Sequence, residues 1–515
     1  MSIYHRLIPN QYRDSVALMH VSKRLIEERG VKNAALIMAT PQNLKQLAMG
    51  GLKIEVEAKP TDLLIVIESD TEDVEPLFEF ALDSLKSKHE TQKAGRLDAA
   101  PLKSLVLAAR EHPEANLALI SVPGSYASAE ALKALTAGLN VMMFSDNVPL
   151  EDEVMLKRRA HDLSLLMMGP DCGTSIINGI PLGFANRVRA GSIGIVAASG
   201  TGLQEVSTRI DALGGGISQA IGTGGRDLHE EVGGITMLDA LGALEADAHT
   251  KTIILISKPA ALSVMMRVIS AANAANKAVI VHFLGLEAAP AGLTLAAHVQ
   301  LATSLTDAAE LAVAGTHATP PALDSELRAQ ALSLTPTQRS VRGIYTGGTF
   351  CYEAQLVFSQ LGEPIASNAP IAGAQTLVPA GTHPAGHHFW DMGEDEFTRG
   401  RPHPMIDPTL RTAYLSQAAE DPSTAVILFD VVLGYGAHPD PAGALLPALT
   451  HIVRDKPHAP ILVAHVCGTD ADAQGRARQI EALQSAGVHI APSNWHAAML
   501  ARAVVTARLE QGGHQ

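Results

Sequence analysis

Two stretches of the chain decide its fold because they repeat each other: IGIVAASGTGLQE at residues 193–205 and VRGIYTGGTFCYE at residues 341–353. In each stretch, an apolar run typical of a buried strand ends at a Gly-Thr pair, and a glutamate follows the threonine by four residues. The threonines, the glutamates and the Leu-Gly pairs further on are all 148 residues apart. One offset shared by separate motifs indicates an internal repeat, so the two regions are predicted to be divergent copies of one α/β unit.

The rest of the chain continues the same alternation of elements. Apolar runs of strand length alternate with helix-length segments, as at residues 117–122, 252–257, 278–284, 424–429 and 461–466. This alternation is typical of parallel sheets joined by right-handed helical crossovers. Hydrophobic residues make up 47% of the chain but aromatic residues only 4%, which favours sheets covered by helices over a β-sandwich. We predict an α/β protein with three Rossmann-like or flavodoxin-like parallel-sheet domains.

The domain boundaries follow from length and from breaks in composition. A chain of 515 residues is expected to hold about three domains at roughly 150 residues each. Pro320, Pro321 and Pro336 surround a polar segment with linker chemistry, and a softer break falls at the polar turn near Arg189. We therefore place the domains at residues 1–188, 189–325 and 338–515.

Charge and composition exclude several classes of function. The net charge of -14 provides no electrostatic footprint for nucleic acid or for an anionic membrane. The apolar runs are far shorter than the ~20 residues of a membrane helix, and the first residues, MSIYHRLIPNQYRD, contain no apolar signal core, so a cytoplasmic location is expected. Cys172, Cys351 and Cys467 are odd in number and widely spaced, which predicts buried thiols rather than disulfides or a zinc cluster.

The repeated Gly-Thr turns predict an anion site. A strand that ends at such a turn and leads into a helix exposes the first helical N–H groups at the carboxyl edge of the sheet, where open α/β folds bind ligands. These amides and the helix dipole attract negative charge. A simple helix cap would explain one such turn, but two copies at equivalent places favour a shared phosphate site. The candidate residues are Ser199, Gly200, Thr201 and Gly202 together with Gly347, Gly348 and Thr349.

Two glycine-rich loops are candidate substrate loops. The first contains Gly224, Gly225, Arg226 and Asp227, and the second ends at His438. Neither has the spacing of a Walker loop or of a dinucleotide-binding fingerprint. Arg226 has the geometry to hold a carboxylate or phosphate through two hydrogen bonds, and a structural pair with Asp227 is the alternative.

The stretch GRPHPMIDP at residues 400–408 is stiffened by three prolines. It presents Arg401, His403 and Asp407 either as a rigid site loop or as the start of a helix with Asp407 at the N-cap, and both interpretations stay open. A nearby cluster superficially suggests a metal: His383, His387, His388 and Asp391. No metal site is expected there, because adjacent histidines on a strand face opposite sides.

Several segments carry a family resemblance. MGPDCG at 168–173, AIGTGGRDL at 220–228 and GRPHPMIDPTLR at 400–411 resemble signatures of the FdrA family, which is built on the succinyl-CoA synthetase plan. The resemblance spans nearly the whole chain. It implies three parts: a degenerate CoA-binding-like domain at 1–188, a synthetase α-chain ligase-like domain at 189–325, and a β-chain carboxy-terminal-like domain at 338–515.

The chain departs from the synthetases at three places. The segment HFLGLEAAPAGLTLAAHV at 282–299 lacks their Gly-His-Ala-Gly type loop, although His282 and His298 remain. The first strand region, AALIMATPQNLKQL at 34–47, lacks a glycine-rich CoA loop, and the sequence shows no nucleotide-grasping domain. These departures disfavour ATP-driven thioester synthesis.

The FdrA resemblance implies a subunit of oxamate carbamoyltransferase, which interconverts oxalurate plus phosphate with oxamate plus carbamoyl phosphate in allantoin and purine breakdown. On this hypothesis, the amides near Thr201 and Thr349 bind phosphate or carbamoyl phosphate, Arg226 or Arg401 holds an α-keto carboxylate, and His403 is an acid or base. No cofactor is expected to be required. The expected partners are a small anionic substrate and either operon-neighbour subunits or a second copy. An NDP-forming acyl-CoA synthetase subunit and a non-catalytic scaffold with a vestigial phosphate site are the alternatives.

Overall fold

The structure is a computed structural model, and its described residues fall into two units. It describes residues 2–9, 11, 18, 21–22, 24–26, 29, 31–39, 43–44, 47, 54, 56–59, 61–71, 73–90, 104–378, 384–398, 402–455 and 458–512. The first unit comprises Met1–Pro101 and Asp395–Pro402, and the second comprises Leu102–Glu394 and His403–Gln515.

The first unit contains a small antiparallel sheet. Its strands are β1 (Ser2–Ile8), β2 (Asn33–Met38) and β3 (Leu63–Ser69), with β3 in the centre and antiparallel to both neighbours. Helix α1 (Glu75–Glu90) and a single helical turn at Asp395–Thr398 belong to the same unit. The prediction of a parallel sheet was wrong for this region, because a continuous apolar run such as LLIVI identifies a buried strand but not the direction of its neighbours.

The second unit begins with a three-stranded parallel sheet, in the order β4 (Leu117–Ile120), β5 (Asn140–Met143), β6 (Met167–Met168). Its helices are α2 (Leu105–Glu111), α3 (Gly124–Thr136) and α4 (Leu150–Asp162). Alanines of α3 and methionines of the strands form the core of this layer. Parallel pairing was predicted here.

A seven-stranded sheet follows and holds the first copy of the repeat. Its strands are β7 (Thr174–Ile177), β8 (Ile180–Gly183), β9 (Ala190–Ala198), β10 (Ile217–Gly222), β11 (Thr252–Ser257), β12 (Ala278–Phe283) and β13 (Val299–Leu301). The order is β13-β12-β11-β9-β10-β7-β8, in which β9 to β13 are parallel with the flavodoxin-like order 2-1-3-4-5. The helices are α5 (Gly200–Ala212), α6 (Ile235–Ala246), α7 (Leu262–Ala274) and α8 (Leu305–Ala314).

The second copy of the repeat forms another seven-stranded sheet. Its strands are β14 (Ser340–Tyr345), β15 (Ile365–Ser367), β16 (Gln375–Thr376), β17 (His387–Asp391), β18 (Thr424–Val432), β19 (Ile461–Cys467) and β20 (Val488–Ala491). The order is β16-β15-β17-β14-β18-β19-β20, so β17-β14-β18-β19-β20 repeats β10-β9-β11-β12-β13. The predicted repeat is thereby confirmed in strand order.

The helices of this region are α9 (Ser325–Ser333), α10 (Gly348–Ser359), α11 (Thr409–Glu420), α12 (Pro441–Asp455), α13 (Arg476–Ser485) and α14 (Asn494–Gly512). Helix α9 lies in the stretch predicted as a linker. Its Leu327 and Ala331 are buried in the core that the two repeats share, so this stretch packs as part of the fold.

Two buried glutamates form hydrogen bonds between the two repeats. Glu205 of α5 accepts a hydrogen bond from the Asn494 amide at the start of α14, at 2.8 Å. Glu353 of α10 accepts one from the Leu305 amide at the start of α8, at 2.9 Å. Each glutamate thus caps a helix of the other repeat, and this exchange holds α5 and α10 side by side.

The three cysteines are buried free thiols, as predicted. Of the helices that the structure describes, none combines the length and the apolar character needed to span a membrane.

Candidate functional site

The amino ends of α5 and α10 meet at two hydroxyl groups. Ser199, the N-cap of α5, lies with its Oγ 2.5 Å from the Oγ1 of Thr349 in the first turn of α10. A Cβ atom added to Gly347 would stand 2.9 Å from the Cγ2 of Thr201, so only a residue without a side chain lets the two turns approach this closely. The two turns predicted from the repeat are therefore brought together.

Not every amide of the two turns is available to a ligand. The Gly202 amide donates to Ser199 Oγ at 2.8 Å, and the Gly347 amide donates to the buried carboxylate of Asp430 at 3.0 Å. The predicted use of these two amides for phosphate was wrong, because side chains already satisfy them. Within the two turns, the amides of Gly200, Thr201, Gly348 and Thr349 have no acceptor among the described residues.

The cap of α5 is Ser199. A capping box between Thr201 and Gln204 fits the sequence, but Ser199 is the cap and Gln204 instead donates to Asn186 Oδ1 at 3.1 Å. The Thr201 amide is therefore left without a side-chain acceptor.

Lys258 supplies a positive charge that the sequence analysis did not consider. It directly follows β11, whose last residue, Ser257, pairs with Ala198 at the end of β9. Lys258 and Ser199 thus leave neighbouring parallel strands at the switch point where such sheets bind ligands. The Lys258 Nζ lies 3.4 Å from the place a Cβ of Gly348 would occupy, and it forms no ion pair or hydrogen bond within the described part of the chain. The sequence signal that could have identified Lys258 as a site residue is its position immediately after a predicted strand.

Asp391, at the end of β17, lies on the other side of the same turn. Its Oδ1 accepts a hydrogen bond from the Gly393 amide at 2.9 Å, and a Cβ added to Gly348 would collide with its Oδ2. Burial raises the pKa of Asp391 to about 7, while the Lys258 ammonium opposes this rise. The sequence analysis considered Asp391 only as part of an unfavoured metal cluster.

His403, which the sequence analysis named as a candidate acid or base, lies next to Asp391. Its Nδ1 accepts a hydrogen bond from the Met405 amide at 3.2 Å. A Cβ added to Gly393 would stand 2.9 Å from His403 Nε2 and 3.1 Å from Asp391 Oδ1. Burial lowers the pKa of His403 to about 4, so the ring is neutral at pH 7.

Asp171 adds a second titratable carboxyl group near Lys258. It stands in the MGPDCG turn with a left-handed φ of 56°. Although its side chain keeps contact with solvent, burial by the surrounding protein raises its pKa to about 6, against the opposing effect of Lys258. Gly225 approaches it, since a Cβ there would lie 3.7 Å from Asp171 Oδ2.

The first glycine-rich loop is held by helix α4. Arg226 pairs with Glu153 at 2.8 Å and donates to the Val148 carbonyl, so the alternative interpretation, a structural pair with Asp227, was wrong. Asp227 is fully buried, pairs with Lys157 at 2.7 Å and caps α6, so the prediction that it lines a substrate loop was also wrong. These partners come from a distant helix, which local sequence does not reveal.

Of three other predicted residues, two form hydrogen bonds with backbone groups and one lies outside the described residues. Asp407 accepts a hydrogen bond from the Thr409 amide at 3.0 Å just before α11, but the N-cap of that helix is Pro408, so the interpretation of Asp407 as the N-cap was wrong. The His438 amide donates to the Met405 carbonyl at 2.7 Å, which ties the second glycine-rich loop to the segment that carries His403. Arg401 lies outside the described residues.

The described histidines of the cluster at which no metal site was expected contact backbone groups. His387 Nδ1 accepts from the Val341 amide, His388 Nε2 contacts the Pro384 carbonyl, and His383 lies outside the described residues. Elsewhere in the described chain, Glu205, His465 and Cys467 bring three atoms of metal-ligand type within 4.8 Å of one another. The 3.0 Å pair of Glu205 with His465 accounts for that proximity.

Two flavodoxin-like repeats bring the amino ends of α5 and α10 together beside Lys258. The comparisons with known proteins assign a chain of this architecture to the succinyl-CoA synthetase-like class. Family models match at residues 1–101 (AllF, heavy metal-associated domain), 188–281 (CoA binding domain) and 344–504 (CoA-ligase). The sequence analysis had placed CoA-binding-like character at 1–188 and ligase-like character at 189–325.

The protein YahF of Escherichia coli (strain K12) is 42% identical over 529 aligned residues, which cover 98% of each chain. The chain therefore belongs to the FdrA-like family that includes YahF.

More distant relatives match only in part. The alpha 1 subunit of succinate–CoA ligase [ADP-forming] from Archaeoglobus fulgidus is 27% identical over 165 residues, which cover 31% of this chain and 54% of that subunit. The apo structure of the dinucleotide-forming acetyl-coenzyme A synthetase 1 from Ca. Korarchaeum cryptofilum is 16% identical, covers 78% of this chain and 84% of its own, and has a TM-score of 0.30.

The heavy metal-associated match carries no cysteine. All three cysteines of the chain lie beyond residue 101, at positions 172, 351 and 467. Soft metal ions favour thiolate ligands, so the residues of the first unit do not fit a thiolate metal site.

Proposed function

We propose that the chain is a subunit of a cytoplasmic carbamoyltransferase that interconverts oxalurate plus phosphate with oxamate plus carbamoyl phosphate. The phosphate binds where α5 and α10 meet. The observation that carries this proposal is the 2.5 Å contact between Ser199 and Thr349, because it aims two helix amino ends at one point. Each helix end favours an anion by roughly 0.3 to 1 kcal/mol when exposed and by up to ~2 kcal/mol when partly buried.

Lys258 strengthens the anion site. The Lys258 ammonium, which makes no direct ion pair within the described residues although it interacts electrostatically with Asp391 and Asp171, lies beside the bare amides of Gly348 and Thr349. Hydrogen bonds to a charged group contribute about 1.5 to 3 kcal/mol, more than bonds between neutral groups. Phosphate therefore completes the coordination of groups that the fold leaves unsatisfied.

The reaction follows from this arrangement. A phosphate oxygen attacks the ureido carbonyl of oxalurate, the C–O bond forms, and the C–N bond breaks to release oxamate. The helix amides stabilise the negative charge that develops on the carbonyl oxygen, and binding in one site replaces a collision of two anions in water. No step requires a nucleotide or a redox partner.

An NDP-forming acyl-CoA synthetase subunit is the second candidate, and the CoA-ligase match at 344–504 favours it. In the synthetases that the sequence resembles, a histidine carries the phosphate. Here the His282 Nδ1 lies 2.9 Å from the Ala302 carbonyl, and the His298 Nε2 lies 3.2 Å from the Ala272 carbonyl. Only one nitrogen of each ring is held by the backbone, but neither histidine stands in a Gly-His-Ala-Gly type loop, and this departure favours the first proposal.

The active form is proposed to be a complex with operon-neighbour subunits, a homodimer or both, since the succinate–CoA ligase relative is named as a subunit. The test uses the chain purified together with those neighbours. Oxalurate and phosphate are supplied without nucleotide, and oxamate and carbamoyl phosphate are measured. Equal amounts of both products, formed only when phosphate is present, are expected.

The matched variants are Lys258→Gln and Lys251→Gln, which remove one charge from opposite ends of β11. Lys258→Gln is expected to lower the rate at subsaturating phosphate by about tenfold or more, and Lys251→Gln to leave it unchanged. Turnover that requires ATP and CoA would support the ligase instead. No turnover under either condition would contradict both candidates.

A further inference from the structure

We propose that Asp391, not His403, carries the proton in the carbamoyl transfer, and that His403 acts as a neutral hydrogen-bond donor. This inference rests on the proposed function. It reverses the role that the sequence suggests for His403.

The hydrogen bond at Nδ1 fixes the tautomer of the His403 ring. The Met405 N–H donates to Nδ1 at 3.2 Å, so Nδ1 presents its lone pair and carries no proton. A neutral ring then carries its proton on Nε2, the atom that lies towards Gly393. Burial keeps the ring neutral by lowering its pKa to about 4, although Asp430 opposes this. Nε2–H donates a hydrogen bond to an oxyanion, but it has no lone pair with which to accept a proton.

Asp391 has the complementary geometry. Its Oδ1 is fixed by the Gly393 amide at 2.9 Å, whereas its Oδ2 receives no hydrogen bond from the described residues. Oδ2 lies against Gly348, where any Cβ would collide with it, and Lys258 Nζ approaches the same point. The free oxygen is therefore at the amino end of α10, where the substrate would lie.

The charges around Asp391 keep both of its protonation states accessible. Burial raises its pKa to about 7, and an acid or base works best with a pKa near the working pH. Lys258 lowers the pKa, while Glu394 and Asp430 raise it. Other titratable groups near this point, among the described residues, include the neutral His403, Asp171 beside Lys258, and the thiol of Cys351, whose own pKa burial raises well above its usual value.

The proton balance closes within the site. As the phosphate oxygen bonds to the carbonyl carbon, the C–N bond breaks and the leaving nitrogen takes the proton from Asp391. Hydrogen phosphate loses its own proton on becoming carbamoyl phosphate, a mixed anhydride, and that proton returns to Asp391. No net proton is gained or lost.

The test compares Asp391→Asn with His403→Gln in the assembled complex. Asn keeps an oxygen for the Gly393 amide, and Gln keeps an N–H donor. The forward rate of the parent is expected to fall as the pH rises through about 7, because the acid form of Asp391 is lost, and the reverse rate is expected to fall below that pH. Asp391→Asn is expected to lower turnover by about 10²- to 10⁴-fold and to lack this pH dependence.

Two further readouts separate a proton-transfer role from a structural one. Phosphate affinity is expected to stay within about threefold in Asp391→Asn, since the bound groups are amides and Lys258. In Glu394→Gln, the forward rate is expected to fall at a lower pH than in the parent, because the variant lacks a charge that raises the pKa of Asp391. The proposal would be overturned if Asp391→Asn retained turnover or lost phosphate binding. It would also be overturned if His403→Gln abolished the fall of the forward rate with rising pH.

One measurement remains informative even if oxalurate is not the substrate. Sulfate is titrated calorimetrically at pH 7 in buffers of different ionisation enthalpy. A bound dianion raises the pKa of Asp391, so the parent is expected to take up more protons than Asp391→Asn, in which Asp171 is still a titratable carboxyl group near Lys258. Equal uptake by both proteins would overturn the inference. Uptake by the parent alone, without oxalurate turnover, would contradict only the proposed reaction.

Discussion

Glu205 and Asn494 belong to different repeats, yet the Asn494 amide donates a 2.8 Å hydrogen bond to the Glu205 carboxylate. In the opposite direction, the Leu305 amide of the first repeat donates a 2.9 Å hydrogen bond to the Glu353 carboxylate of the second. The exchange is buried and independent of any ligand, so it fixes the position of α5 relative to α10. The anion site is therefore preorganised by the core rather than assembled by the substrate.

Removing the charge of Glu205 is expected to destabilise the fold strongly. Burial raises the pKa of Glu205, but His465 and the Asn494 amide outweigh it and lower the pKa overall. Breaking such a buried pair costs about 3 to 5 kcal/mol, so Glu205→Gln should lower the free energy of unfolding by that amount at pH 7. Glu310→Gln, which breaks the more exposed 2.7 Å pair with Arg209, should cost only about 1 kcal/mol. Equal losses in denaturant titrations would contradict this account.

Glu353 is expected to make stability depend on pH in the opposite sense to an ordinary paired carboxylate. Burial raises its pKa from 4.5 to about 7, so the folded state holds the proton more tightly than the unfolded state. This contribution is fully present below pH 4.5 and is lost as the pH rises through about 7, for a total of about 3 kcal/mol. In unfolding measurements from pH 5 to 8, Glu353→Gln should gain stability relative to the parent as the pH rises. A constant difference would show that Glu353 does not titrate in this range.

Gly224 and Gly214 provide a matched pair for the first glycine-rich loop. Both have left-handed backbones, with φ of 85° and 87°. A Cβ at Gly214 meets nothing within 4 Å, whereas one at Gly224 would collide with the Pro170 carbonyl. Gly214→Ala should cost about 1 kcal/mol from backbone strain alone, and Gly224→Ala at least about 2 kcal/mol more. Similar losses in thermal unfolding would mean that the loop moves away from the MGPDCG turn at little cost.

The sequence predicted what local patterns encode. The 148-residue offset identified the repeat, and the Gly-Thr turns located the two helix ends that meet. Strand direction in the first unit was missed, because an apolar run has the same letters in parallel and antiparallel sheets. The partner of Arg226 was missed because Glu153 arrives from a helix more than seventy residues earlier in the chain.

The titratable part of the site was harder to predict. Asp391 carries no local sign of its environment, since its pKa depends on burial and on Lys258 from another sheet. His403 was selected from its stiff loop, but its donor role depends on a hydrogen bond from Met405 that only the folded backbone reveals.

The central claim, that an anion binds between the amino ends of α5 and α10, is tested most directly by calorimetric titration of phosphate into Thr201→Pro and Thr201→Ser. Proline is tolerated in the first turn of a helix but removes the amide donor, whereas serine keeps it. With folding confirmed by circular dichroism, Thr201→Pro is expected to weaken phosphate binding by about tenfold or more, and Thr201→Ser to bind as the parent does. A folded Thr201→Pro variant that binds phosphate as tightly as the parent would contradict the account.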